Sequence, residues 1–139
     1  MCLFVLCRVK GLSIIQHRHL CFPRKNRLLA PVDFQQVFKK GSRQKGAMFT
    51  MICNANSLSY ARLGLAIAKR YVPSAVERNR VRRIIREGFR HYQSAFGAFD
   101  IVVITQKPLE DLGNACLHKE LNQQWRLLEK HLKLRFSRE

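Results

Sequence analysis

The sequence predicts a single α+β layer domain, and three patterns carry the prediction. Residues 75–92 repeat apolar side chains at helical spacing. Short apolar runs at 62–68 and 101–105 flank them with the character of strands, and residues 114–132 carry a second helical stripe. The chain's 139 residues are close to one domain's length. A chain of that size buries a core without needing disulfides or a structural metal.

Residues 1–20 read as an extension, weakly ordered and outside a domain that spans 21–139. The apolar start is followed by Arg8 and Lys10, whereas a signal peptide carries its charge before the apolar stretch. The extension is expected to be dispensable. Pro31 suits a first helical position, Asp33 favours the positive end of the helix dipole, and Gly41 can end the helix. Phe34, Val37 and Phe38 then share one face. The basic stretch 39–45 reads as an exposed loop, residues 47–53 as a strand, and 54–59 as a turn. In residues 62–68, Leu63, Leu65 and Ile67 alternate with Gly64, Ala66 and Ala68. That gives one bulky face and one small face, which lets another backbone come close. Ser74 and Glu77 have capping-box spacing, so a helix should begin near Ala75. The run 101–105 suits a strand covered on both faces. Asn114 can cap the last helix, whose stripe is Leu117, Leu121, Trp125, Leu128 and Leu132. The order is helix, two or three strands, helix, strand, helix.

Charge narrows the function. Lys and Arg number 26 against 9 Asp and Glu, a formal charge of +17. Residues 1–90 hold 19 basic and 3 acidic side chains, while residues 91–139 hold 7 and 6. A solvated surface interleaves both signs, so the first two thirds are expected to face a polyanion. The hydrophobic fraction of 47% excludes a disordered basic tail. No apolar run approaches the ~18 residues of a membrane span. Asp33, Asp100, Glu110 and Asp111 form no metal cluster by spacing, which argues against a self-contained nuclease. Five scattered cysteines without a C-x-x-C pair suit reduced thiols in a cytoplasm. Cys2, Cys7, His17, His19 and Cys21 match no familiar zinc module. His91, His118 and His131 have no partner at catalytic spacing and read as surface residues, and Trp125 reads as core.

Residues 78–90 contain six arginines in thirteen positions. Turned at about 100° per residue, Val81, Ile84, Ile85, Phe89 and Tyr92 share one arc. Arg80, Arg82, Arg83, Arg86, Arg90 and Asn79 occupy the opposite face, Arg78 lies at its edge, and Glu87 is the only acid among them. A solvated helix pairs Glu with Lys at i, i+4. This one stacks like charges at 78, 82, 86 and 90, which an anionic partner would relieve. Arginine suits bidentate contact with phosphate.

Arg78-Asn79-Arg80-Val81-Arg82-Arg83-Ile84-Ile85-Arg86 resembles the signature of the bacterial ribonuclease P protein subunit. Residues 62–70 resemble the family strand before that motif, and Asn26-Arg27-Leu28 with residues 33–41 resembles its N-terminal region and first helix. The likeness covers roughly residues 22–132. It implies a compact α-β-β-β-α-β-α domain with the basic helix in a left-handed β-α-β crossover, against the usual right-handed rule. It also implies a protein partner for a catalytic RNA, which removes the 5′ leader of precursor tRNA by hydrolysis. Magnesium is then held mainly by the RNA, with no catalytic or metal-binding residue in the protein, no organic cofactor, no membrane and no required protein oligomer. Carried over by position, Arg78, Asn79, Arg80, Arg82, Arg83 and Arg86 face RNA, and the helical arc adds Arg90. Phe34 and Phe38 border a leader groove, with Lys69 and Arg70 at the end of the neighbouring strand. By spacing alone the two phenylalanines read as core residues, and the resemblance sets the groove-floor reading level with that one. Around Thr50 and Ile52 the sequence lacks the aromatic that some family members place in the groove. Two other readings are another small basic RNA-binding protein, such as a ribosomal protein, and a helix-turn-helix DNA binder reading with residues 76–92.

Overall fold

The computed structural model describes residues 22–109 and 111–137. The extension 1–20 and Cys21 lie outside the described residues. A 3₁₀ turn at Arg24–Asn26 leads to α1 (Pro31–Lys40), β1 (Ser42–Lys45), β2 (Phe49–Ala55), β3 (Arg62–Ala66), α2 (Ala75–Phe96), β4 (Phe99–Thr105) and α3 (Asn114–Phe136). The four strands make one sheet in the order β1-β2-β4-β3. β2 pairs antiparallel with β1 and β4, while β3 pairs parallel with β4, so β3-α2-β4 is a crossover between adjacent parallel strands.

Alternation along the strands builds a core on each face. Phe49, Met51, Cys53, Leu63, Ile101 and Val103 point to the face that α2 and α3 cover. Ile52 and Val102 point the other way, to Val37 of α1 and Leu28. β4 is thus buried on both sides, as its continuous apolar run requires. All five stripe residues of α3 are at most 1% exposed, Trp125 included. α2 buries Val81, Ile84, Ile85 and Phe89 and ends at Gly97, whose φ of 62° lies in the left-handed region that favours glycine.

Residues 42–45, expected as loop, form the edge strand β1. Its inward Ser42 and Gln44 are polar, so no apolar alternation announces it. Ser42 Oγ lies 3.2 Å from Cys53 Sγ, and Gln44 Nε2 donates to Gln124 Oε1 at 2.8 Å and to its carbonyl at 2.9 Å. The small face of β3 receives an aromatic ring, not a backbone: a Cβ on Gly64 would fall 2.7 Å from Phe34 Cε1.

Gly88 plays a comparable part in the larger core, where a Cβ would strike Trp125 Nε1 and lie 3.0 Å from its Cδ1. Alanine adds helix propensity of up to about 1 kcal/mol, but Trp125 is fully buried and cannot swing away. Overpacking of about 1–3 kcal/mol outweighs the gain. Gly88→Ala is therefore expected to lower the urea midpoint, and a raised midpoint would show that this contact has slack.

One polar network ties α1 to the sheet. Arg62 Nε donates to Asp100 Oδ1 at 2.8 Å, and its Nη2 donates to Oδ2 at 2.6 Å. Arg62 Nη1 reaches Asp33 Oδ2 on α1 at 3.2 Å, and Asn56 Nδ2 donates to Asp100 Oδ1 at 2.8 Å. The bidentate carboxylate contact raises the Arg62 pKa against the opposing effect of burial.

Candidate nucleic-acid interface

Ser74 starts α2 by accepting a hydrogen bond from the Glu77 amide at 3.4 Å. The Glu77 carboxylate turns to Arg80, taking Nε at 2.9 Å and Nη2 at 2.6 Å. Arg80 also donates to Asn114 Oδ1 at 2.6 Å and to the Leu112 carbonyl at 3.1 Å. Asn114, expected as the cap of α3, is instead its first residue after an N-cap at Gly113. Its side chain helps pin α2 to the segment before α3. Arg78 Nη1 holds the carbonyls of Val72 and Pro73 at 2.9 and 2.6 Å. Arg82 Nη1 donates to Asn79 Oδ1 at 3.2 Å. The basic ladder therefore divides: Arg78 and Arg80 are engaged by the fold's own acceptors. Arg83, Arg86 and Arg90 have no acceptor among the described residues.

The free arginines meet a partner that sequence spacing does not reveal. The segment before α1 runs beside β3, with a bridge between Arg27 and Leu63, and a hydrogen bond from the Leu28 amide to the Leu63 carbonyl at 2.9 Å. The Asn26 side chain fixes the segment by donating to the Ala61 carbonyl at 2.8 Å. This places the Arg27 guanidinium 5.3 Å from the centre of the Phe22 ring, over its face. Phe22 itself meets Phe89 of α2 in an edge-to-face contact at 5.5 Å. Between this segment and α2 lies a cleft of about 550 Å³, with Phe22 and Arg27 on one side and Asn79, Arg83, Arg86, Glu87 and Arg90 on the other. Burial, followed by the nearby charges of Arg27, Arg82 and Arg90, lowers the Arg86 pKa. A guanidinium stays protonated in a protein, so like charges are held together here, and Arg86 has no ion pair among the described residues.

A smaller hollow of about 160 Å³ connects Arg27, Arg82 and Arg86 to Phe34. Phe34 and Phe38 are both half-buried against Leu28, Val37, Ile52 and Val102, so each is packed and partly open. On the α1 side of the sheet, register aligns Lys45, Thr50, Ile104 and Ala66 in one row. Thr50 Oγ1 in this row is buried without a hydrogen-bond partner among the described residues. Lys69 and Arg70 are exposed just beyond Ala66, where the Ala68 amide donates to Thr105 Oγ1 at 3.0 Å. The Arg70 guanidinium lies over the Tyr71 ring at 4.6 Å.

A sheet backed by an arginine helix, with guanidinium groups unpaired among the described residues and gathered beside aromatic rings, defines a small nucleic-acid-binding protein. Strand β3 directly before α2 excludes the helix-turn-helix reading, which needs a short helix there. The Ribonuclease P family model matches residues 22–129, and the chain belongs to that family of ribonuclease P protein components. The ribonuclease P protein component of Methylococcus capsulatus is 38% identical over 107 residues, covering 77% of this chain and 84% of that protein. That of Aliivibrio fischeri is 42% identical over 109 residues, covering 78% and 93%. The ribonuclease P protein structure from Staphylococcus aureus superposes with a TM-score of 0.68 at 30% identity, covering 73% of this chain and 94% of that one. The Thermotoga maritima structure gives 0.63 at 30% identity, covering 75% and 96%. The ribosomal-protein alternative is not favoured by these matches.

Proposed function

We propose that this subunit of an endoribonuclease binds a catalytic RNA through the α2 cleft and the 5′ leader of precursor tRNA through the groove beside α1. In this reading it assists hydrolytic removal of the leader, which leaves the mature tRNA 5′ end. The observation that carries it is the segregation of charge. Among the described residues Arg27, Arg83, Arg86 and Arg90 converge without acceptors, whereas Asp33 and Asp100 meet at Arg62. Among the described residues no group of three or more His, Cys, Asp or Glu could hold a metal. Magnesium, held mainly by the RNA, supplies the hydrolytic chemistry. The protein's own residues neutralise phosphates and position the leader. No helix among the described residues is long and apolar enough to cross a membrane. The reading of the chain as a partner of a catalytic RNA carries with it a cytoplasmic location and no requirement for a protein oligomer.

For the leader, Phe34 and Phe38 offer partly open rings, and Lys45, Lys69 and Arg70 offer charge at the two ends of the row. Stacking on an aromatic contributes about 1–3 kcal/mol per base with little sequence preference. Phe34→Leu and Phe38→Leu keep much of the apolar volume while removing the π-face. With protein and RNA reconstituted, and folding checked by circular dichroism, these variants should weaken precursor tRNA binding roughly 5- to 150-fold. Mature tRNA binding should stay nearly unchanged. Equal weakening of both substrates would make the two rings core residues and remove the leader groove from this site.

A further inference from the structure

We propose that the cleft between Phe22–Arg27 and α2 is a clamp for one unpaired nucleotide of the RNA partner. The base would stack on the Arg27 guanidinium, with Glu87 reading its N–H edge and Arg83, Arg86 and Arg90 holding its phosphates. The inference rests on the RNA-binding reading above and adds what this surface selects.

Three observations separate a nucleotide clamp from a face that only follows phosphates. The first is shape. A half-open cleft of about 550 Å³, within the ~300–1,000 Å³ range of ligand clefts, has room for one nucleotide. The second is the wall opposite α2. Phe22 is braced by Phe89 and carries the Arg27 guanidinium on its ring, while Arg27 itself is exposed. An aromatic with a guanidinium plane laid over it is a stacking surface for an unstacked base. The third is Glu87. A carboxylate in a cleft built for phosphate repels the ligand unless it accepts a proton donor from it. Arg83 stands four residues before Glu87 and Arg90 three after, yet neither pairs with it among the described residues. Its oxygens are left free to accept N–H groups from a base edge. Guanine presents two adjacent donors, N1–H and the N2 amine, which match one carboxylate. Adenine and cytosine present a single amine, and uracil a single ring N–H. Asn79 on the same wall can both donate and accept.

The test uses the full chain with ribonuclease P RNA, reading affinity, salt slope and protection of unpaired guanines from base-selective chemical modification. Wild-type protein should protect at least one unpaired guanine. Phe22→Leu should lose that protection and weaken affinity with the salt slope unchanged, because it removes the ring that carries the Arg27 plane and no charge. Arg27→Lys should keep the slope and lose the protection, and Arg27→Ala should also lower the slope by about one. Glu87→Gln, on an exposed side chain, should fold normally and protect guanine less than the wild type. Wild-type binding and stimulation of cleavage, with guanine reactivity unchanged by all four substitutions, would overturn the clamp and leave the RNA-binding reading standing. Failure of the wild-type protein to bind the RNA at all would overturn both.

Discussion

Arg62→Ala is expected to lower folding stability by about 3 kcal/mol, among the largest effects of any single substitution outside the apolar core. Removing one partner of a buried ion pair typically costs about 3–5 kcal/mol, because the other charge is left uncompensated. The low end applies here, since the Arg62 side chain is 18% exposed while Asp100 is 8% exposed. Asp100 would keep only its hydrogen bond from Asn56, and Asp33 would lose the contact that draws the start of α1 onto β3. Arg62→Lys should recover only part of the loss, because a point charge cannot reproduce the two-pronged contact. Urea denaturation checks the magnitude. A loss below about 1 kcal/mol would mean that the network behaves as a surface ion pair. Since the same network positions α1, the Arg62 variants should also weaken precursor tRNA binding at temperatures where they remain folded.

The largest effect on function is expected from salt. If the arginine surface neutralises about 6–10 phosphates, RNA affinity should fall on the order of 10³–10⁵-fold between about 50 and 200 mM salt. The structure sharpens which side chains carry this. Arg83→Ala, Arg86→Ala and Arg90→Ala should each reduce the salt slope by about one with little change in melting temperature, because their guanidinium groups hold nothing else in the described residues. Arg80→Ala should chiefly lower the melting temperature, because Arg80 bonds to Glu77, Leu112 and Asn114. Arg78→Ala should follow Arg80, through the carbonyls of Val72 and Pro73. Slopes unchanged from wild type in all five variants, or affinity indifferent to salt, would make the ladder no more than solvated surface, and an equal reduction in all five would contradict its division.

The elements that local chemistry dictates are legible in the sequence. Ser74 marks the first turn of α2, Pro31 and Gly41 bracket α1, and the α3 stripe is buried residue for residue. What escapes is what depends on partners distant in sequence. β1 is hidden because Ser42 and Gln44 point inward to Cys53 and Gln124, so the strand shows no apolar alternation. Asp33, Arg62 and Asp100 carry no motif, and their convergence follows only from the pairing of β3 with β4 and the seat of α1. The arginine face is visible by helical arithmetic, but its division is not. Periodicity puts Arg80 with Arg83, whereas Asn114 and Leu112 claim Arg80 through the return of the chain after β4. Arg27 joins the cleft because the 26–28 segment runs beside β3, a contact that spacing along the chain gives no means to foresee. Phe34 and Phe38, core residues by spacing and groove residues by resemblance, are both packed and partly open.

Reconstitution with a magnesium titration tests the central claim most directly. Purified protein, free of RNA, is assayed on precursor tRNA alone and together with ribonuclease P RNA at low and high magnesium. The expected result is no cleavage by the protein alone and strong stimulation of the RNA at low magnesium, shrinking as magnesium rises, because the cationic surface and the metal ions offset the same phosphate repulsion. Magnesium-dependent cleavage by the protein alone, or no stimulation of the RNA at any magnesium concentration, would contradict it.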